Sequence, residues 1–525
     1  MPSVVVIPGT GHSSRRVLIE KVHSILSNRV RDGEEQYLVR WKTNAKTSTP
    51  ALSWHVIDEL SRCLEHVQDY LDVRSKAISV AAQLRASSNK RKSPDTGSEE
   101  ERRPSPLDRQ LGRISHTPSS SRSSSVSSNV NTNGPSASPS VDVYNGVLDH
   151  NGGFVFGRRA AGPDVPRIDI KCVPTPEMSV TARRSSVKEA LTCIRAEYIR
   201  RLARVPGQLI YLVNIADSST PSLRFHYISD YICGEGVTKM DIETQVGCQK
   251  CSPHMGKHIG CEYTKRCDCL EYAKVDEARL KDDQQRAEYE YAIATGGSTM
   301  GFPKKFPYFA EGTRADREGC LVSFYLTSRN PIYECNAKCR CGPYCRNKNV
   351  QFGRQVELEI FKTANSRGWG LRCRQKLFQG QFIDTYRGEI ITDAEATRRE
   401  EAAHSKMKAS YLYSLDKFAE TEQIDVEDLY VVDGQFMGGP TVFMNHSCDP
   451  NCRQYTVSYN KNDPRIYDLA FFACRDIEAG EELTFDYLDK EEEDEEKNNE
   501  ATEDPSADAV PCLCGSDNCR KWLWT

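Results

Sequence analysis

Nine cysteines crowd into two stretches of this chain: Cys248, Cys251, Cys261, Cys267 and Cys269, then Cys335, Cys339, Cys341 and Cys345. Their spacing is C-x2-C-x9-C-x5-C-x-C and C-x3-C-x-C-x3-C, with 65 residues between the groups. The opening residues MPSVVVIPGTGHSSRR do not read as a secretory signal, because the apolar run is short and the charge follows it. No window approaches the ~18 apolar residues that span a bilayer. An intracellular chain is therefore expected, and its thiols stay reduced. Clustered, reduced thiolates point to zinc. Structural zinc takes four ligands, so three ions need about twelve metal–sulfur bonds, which nine cysteines supply if three of them bridge. The C-x-C pairs place adjacent thiolates within reach of neighbouring ions. Near the end, CLCGSDNC contributes Cys512, Cys514 and Cys519, one ligand short of a site. Cys448, in FMNHSCDPNC, can supply the fourth, which makes it a metal ligand and not a nucleophile. The remaining cysteines (63, 172, 193, 233, 320, 373, 452 and 474) fit no metal pattern and are expected to be small buried hydrophobes.

The 525 residues allow several domains. Residues 17–73 read as a small α+β unit: YLVRW alternates like a strand, RDGEE is a turn, and SRCLEHVQDYL has helical spacing. From 86 to 166 the composition turns to Ser, Pro, Asn and Arg, a disordered linker too poor in apolar surface to fold. SVKEALTCIRAEYIRRLA resumes helical periodicity. VELEIFK and LYVVDG are strand-like, and DAEATRREEAAHSKMKASYL is helical. Residues 489–508 form an acidic run, read as a loop. The net charge of −4 averages these opposed segments and decides nothing.

In order, the nine cysteines, RGWG, YRGEIIT, YLYSLD, NHSCDPN, ELTFDY and the terminal C-x-C-x4-C closely resemble SET-domain histone lysine methyltransferases. The likeness is to the suppressor-of-variegation class, especially fungal heterochromatin enzymes that methylate lysine-9 of histone H3. It covers roughly residues 205–525. The fold it implies is a mostly β, knot-like SET domain (354–488), preceded by a zinc-cluster pre-SET region (205–353) and followed by a zinc-binding post-SET region (509–525). The implied cofactors are S-adenosylmethionine and zinc, three ions in the pre-SET cluster and one in the post-SET site. The implied partners are the histone H3 tail and nucleosomes, with a chromatin-silencing complex and no membrane, in the nucleus.

Residue by residue, the resemblance makes Arg367, Gly368, Trp369 and Gly370 a cofactor loop acting largely through its backbone. Asn445 and His446 also hold the cofactor. Tyr411 lines the active site and touches the cofactor, Tyr487 is the catalytic tyrosine, and Phe485 sets how many methyl groups are added. Trp524 closes the lysine channel once the last zinc folds. These residue types suit the chemistry. Methyl transfer to lysine needs a neutral amine, whereas free lysine titrates near ~10.4. An aromatic channel desolvates the ammonium and favours its neutral form. Val442 stands where close fungal relatives carry Arg, for which altered activity is expected.

The N-terminal unit resembles a chromodomain, with Trp41 at one position of a methyl-lysine cage. The other two positions fall on Val17 and Asn44. A working reader and a structural or nucleic-acid-contacting remnant both stay open. For the whole chain the alternative to an enzyme is a catalytically weak or dead chromatin scaffold. A DNA-binding zinc protein is disfavoured, because basic residues do not interleave with the cysteines as a phosphate-tracking stripe would.

Overall fold

The computed structural model describes residues 19–42, 52–89, 147–151, 154–157, 168–169, 172–241, 243, 245–251, 253, 261, 267–309, 317–402, 411–460, 463–488 and 510–524. The chain divides into two compact units, Met1–Ala190 and Leu191–Thr525. Val17, Asn44 and the acidic run 489–508 lie outside the described residues.

In the first unit, Val22–Arg31 and Glu34–Trp41 form an antiparallel hairpin, and Leu52–Val56 pairs with its second strand. Asp32 and Gly33 both have positive φ, at 52° and 83°, as a two-residue hairpin turn of the D-G type requires. Helix Leu64–Asn89 buries Leu64, Val67 and Leu71, one helical stripe, against a core that includes Val22, Tyr37 and Leu52. The helix runs well past the eleven residues that the periodicity suggested, and Val73 and Val80 beyond the stripe are exposed. Strands Val147–Asn151 and Phe154–Gly157 fall inside the segment that composition assigned to a linker, and the first of them pairs with Leu52–Val56. Glu35 is buried and accepts the backbone N–H groups of Glu189 and Ala190 at 3.0 and 3.1 Å. It thereby satisfies donors that the start of helix Lys188–Leu202 leaves open.

Trp41 is buried, donates its indole N–H to Ser53 Oγ at 2.7 Å and stands edge-on to His55. The other tryptophan of this unit, Trp54, is covered by the guanidinium of Arg29, 4.1 Å from the ring centroid.

The second unit is built from short sheets. Leu358–Lys362 lies between Trp369–Cys373, antiparallel, and Ile210–Val213, parallel. A four-stranded sheet joins Ile332–Tyr333, Cys452–Ser458, Asp468–Ala473 and Phe382–Tyr386 in that order. Its strand Asp468–Ala473 is buried at every position, so it lies covered on both faces. Burying side chains such as Phe471 and Phe472 contributes ~1.5–3 kcal/mol each. A third sheet orders Leu412–Ser414, Tyr430–Asp433, Glu389–Thr392 and Ile232–Cys233. Helix Asp393–Ala402 packs beside it, with Arg399 bridging Glu389 at 2.8 Å and Asp433 at 2.6 Å. The helical periodicity through Leu412 is therefore overruled: Leu412 pairs with Asp433 in a strand.

The cysteine-rich region is fixed to the strands by a buried carboxylate. Glu334 accepts the Tyr308 hydroxyl at 2.6 Å and the backbone N–H groups of Asn349 and Val350 at 2.9 and 2.8 Å. Burial raises its pKa above the usual carboxylate range, although these donors oppose the shift.

Candidate active site and metal centres

Two segments far apart in sequence run side by side: Asn445–His446 pairs in parallel with Thr484–Phe485. Asn451 holds the pair together. Its Oδ1 accepts the Thr484 N–H at 2.9 Å, and its Nδ2 donates to the Glu482 carbonyl at 2.8 Å. NHSCDPN thus meets ELTFDY through its final asparagine as well as through the strand.

The loop RGWG joins the same place. Asn445 Nδ2 donates to the Trp369 carbonyl at 3.1 Å and to Glu482 Oε1 at 2.7 Å. The other oxygen of Glu482 accepts from the Arg367 guanidinium. Arg367 is therefore committed to Glu482 and also to Asn365 Oδ1, at 3.1 Å, which leaves the loop its backbone for a ligand. Gly368 has φ 83° and open space where a Cβ would stand. At Gly370 a Cβ would meet Glu482 Oε1 at 2.8 Å and the Phe361 ring at 2.9 Å, so only glycine lets the loop approach this closely. These residues fit S-adenosylmethionine: a stretch of backbone left accessible by Gly368 and Gly370 beside a fixed Asn-His pair.

Behind this loop lies an aromatic cluster. Phe485 packs on Tyr487 with ring centroids 4.8 Å apart, and on Phe471 at 4.9 Å. Tyr413 lies 6.2 Å from Phe485 and 4.9 Å from Tyr386. The Tyr487 hydroxyl donates to the Met444 carbonyl at 2.9 Å, and its backbone N–H donates to His446 Nδ1 at 3.2 Å. Burial, reinforced by the Tyr411 hydroxyl, pushes the Tyr487 hydroxyl pKa upward. Burial also raises that of Tyr411. The Tyr411 carbonyl accepts the Tyr386 hydroxyl at 2.9 Å. Such a cluster excludes water and offers neutral hydroxyls and carbonyls to an amine. It holds no activated nucleophile.

The cysteines gather into groups that could hold metal ions. Cys261, Cys335, Cys341 and Cys345 bring four sulfurs within 4.8 Å of one another, and so do Cys448, Cys512, Cys514 and Cys519. Two triplets, Cys248, Cys251, Cys267 and Cys267, Cys269, Cys335, share Cys267 and use Cys335 again. Cys251 lies 3.3 Å from Cys261, and Cys269 lies 3.4 Å from Cys339. A tetrahedral site with Zn–S bonds of ~2.3 Å sets its sulfurs ~3.8 Å apart. Separations such as 3.3 Å (Cys251 to Cys261), 3.7 Å (Cys248 to Cys251) and 3.9 Å (Cys448 to Cys512) are of the size a shared ion sets and far too long for disulfides.

Of the other cysteines, Cys63, Cys320, Cys373 and Cys452 are buried as expected, but Cys172 and Cys233 are exposed. Cys233 sits in a two-residue strand at a sheet edge, where packing covers little. Trp524 is placed by its backbone opposite Val510. Sequence reasoning missed Tyr386, Tyr413, Glu482, Asp486 and Arg520. Signals were present for four of them: Tyr386 opens the quoted YRGEIIT, Tyr413 follows Tyr411 at strand spacing in YLYSLD, and Glu482 and Asp486 both sit inside the quoted ELTFDY.

Residues 368–488 match the SET domain family and 204–348 the Pre-SET motif. The H3 lysine-9 specific histone-lysine N-methyltransferase of Fusarium mangiferae is 39% identical over 324 residues, 60% of this chain and 88% of that protein. Its counterpart in Neurospora crassa is 37% identical over 336 residues, covering 62% and 91%. That of Schizosaccharomyces pombe is 36% identical, covering 63% and 58%. The solved Neurospora SET domain protein DIM-5, a histone lysine methyltransferase, shares 36% identity and covers 55% of this chain and 97% of its own, with a TM-score of 0.43. With this extent of matching, the chain belongs to the SET-domain histone-lysine N-methyltransferases, among the H3 lysine-9 specific enzymes of the fungal suppressor-of-variegation type.

Proposed function

We propose that this chain methylates lysine-9 of the histone H3 tail, carries the lysine to the trimethyl state, and acts in nuclear chromatin to form heterochromatin. The observation that carries the reading is the junction at Tyr487. Its ring faces Phe485, its hydroxyl is held by Met444, and its backbone is tied to His446, beside the Asn445–Glu482–Arg367 brace. S-adenosylmethionine, when bound, supplies an electrophilic methyl group.

The chain's own residues do the rest. Gly368, Trp369 and Gly370 present backbone to the cofactor, and Asn445 fixes that backbone through the Trp369 carbonyl. Tyr411, Phe485 and Tyr487 strip water from the lysine, lowering the cost of its neutral form. Alignment of amine and methyl then supplies most of the acceleration. Phe485 carries no hydroxyl to hold a partly methylated amine in one orientation, which supports trimethylation. Trp524 is assigned to the mouth of the same channel.

Three zinc ions fit the nine-cysteine cluster, with Cys261, Cys267 and Cys335 as the bridging thiolates. A fourth ion fits Cys448, Cys512, Cys514 and Cys519. In the N-terminal unit Trp41, the described cage position, is buried, which supports a structural role for that tryptophan.

Incubating the full chain with nucleosomes and methyl-labelled S-adenosylmethionine tests the reading. Label should enter histone H3. Label in no histone, with cofactor and zinc bound, would favour a scaffold.

A further inference from the structure

The C-terminal segment reaches back to the catalytic strand through a side chain that the zinc site does not need. Arg520, next to Cys519, grips Asp486 with both prongs of its guanidinium: Nη1 to Oδ2 at 2.9 Å and Nη2 to Oδ1 at 2.6 Å. The backbone N–H of Arg520 faces Cys448 Sγ at 3.4 Å, and Nη2 lies 3.5 Å from His446 Nε2. Asp486 accepts the Leu488 N–H at 3.0 Å and lies 3.4 Å from His446 Nδ1, the atom that takes the Tyr487 N–H. One arginine therefore touches the last metal site, the cofactor segment and the neighbour of the catalytic tyrosine.

An exposed ion pair would contribute little. This pair is two-pronged and its side chains are only 20% and 16% exposed, the arrangement in which arginine–carboxylate pairs are strongest. The following residue, Lys521, has φ 71°, a left-handed turn that sends Trp522–Trp524 off in a new direction. Its carbonyl accepts the Cys512 N–H at 2.7 Å. Zinc fixes the positions of the cysteines, but the orientation of the strand that leaves them is set by what holds Arg520.

The geometry points to Arg520 as a positioning residue for methyl transfer. Its pair with Asp486 seats the C-terminal strand on the Asp486–Tyr487 segment, so that one contact closes the C-terminal segment over the site and steadies the tyrosine. The inference rests on the methyl-transfer reading above and adds to it a residue that acts through Asp486.

The test uses the full-length, zinc-loaded chain. Arg520→Met keeps the apolar stem and removes the charge. It should lower kcat/KM about 10- to 100-fold, the range for losing a charged hydrogen-bonded pair, while zinc content stays at the wild-type value and Tm falls by only a few degrees. Arg520→Lys should recover part of the loss. Asp486→Asn should match Arg520→Met, and the double variant should be no worse than either single one. Hydrogen exchange at the amides of 522–524 should quicken in Arg520→Met. Unchanged exchange there would overturn the inference whatever the activity, as would multiplicative losses in the double variant or loss of zinc alongside loss of rate. A wild-type chain that methylates no histone would instead overturn the reading beneath it, and exchange would still report on the contact.

Discussion

The backbone N–H of Tyr487 donates to Nδ1 of His446 at 3.2 Å, joining the segment proposed to carry the catalytic tyrosine to the one proposed to hold the cofactor, 41 residues away. The parallel pairing of Asn445–His446 with Thr484–Phe485 makes that bond possible. The two segments are thus held by the same few residues, and shifting one disturbs the other.

Tyr487→Phe removes a hydroxyl fixed on the Met444 carbonyl and leaves the ring packing on Phe485. Activity should fall about 100-fold or more, as expected when a positioned group at the reacting centre is lost. Tm should be nearly unchanged. Steady-state rates and a thermal melt on the same preparation check both.

The pH dependence follows from the direction of one shift. Burial raises the Tyr487 pKa, so its hydroxyl stays neutral throughout the neutral and mildly alkaline range and cannot serve as the base. The rise of rate with pH should then report deprotonation of the substrate lysine, whose free value is ~10.4. Replacing that lysine by a less basic analogue should move the rise to lower pH. A rise that does not move with the substrate would assign it to the enzyme.

Glu482 braces Arg367 and Asn445 from one carboxylate. Losing charge-assisted hydrogen bonds costs ~1.5–3 kcal/mol. Glu482→Ala should therefore raise KM for S-adenosylmethionine about 10- to 100-fold, with a smaller effect on kcat. Equal KM values in variant and wild type would remove Glu482 from the cofactor site.

These contacts show what was legible in the sequence. Most of the cysteine groups were, because their spacing is local: C-x-C and C-x3-C are visible without knowing the fold, whereas Cys448 joins Cys512 from 64 residues away. The partners of Glu482 and Arg520 were not. Glu482 meets Arg367 across 115 residues, and Arg520 meets Asp486 across 34, and an ion pair between distant residues leaves no periodic trace. Two secondary-structure expectations failed for related reasons. The helical pattern through Leu412 did not register that Tyr430–Asp433 offers Leu412–Ser414 a strand partner. The helix continues past Leu71 to Asn89; residues 72–83 bury no side chain, and Ala81, Ala82 and Gln83 among them have an intrinsic propensity that favours helix.

Metal content separates a bridged cluster from independent sites. Elemental analysis should return four zinc ions per chain, and Cys448→Ser should weaken the C-terminal ion while leaving the other three. Chelation should abolish activity, because thiolate sites of this kind hold their segments folded. One zinc or none on active protein would be incompatible with the shared roles of Cys267 and Cys335.

Product distribution tests the channel. Phe485→Tyr places a hydroxyl beside Tyr487 and Tyr413. It should shift the product from trimethyl- to mono- and dimethyl-lysine, read by mass spectrometry at complete turnover. An unchanged distribution would mean that Phe485 does not limit rotation of the amine.

Tandem mass spectrometry of an H3 tail peptide incubated with the full-length chain and S-adenosylmethionine tests the central claim most directly. The account predicts successive methyl additions at lysine-9, ending at the trimethyl form, and none in a peptide whose lysine-9 is replaced by arginine. An unmodified peptide, or methylation confined to another lysine, would contradict it.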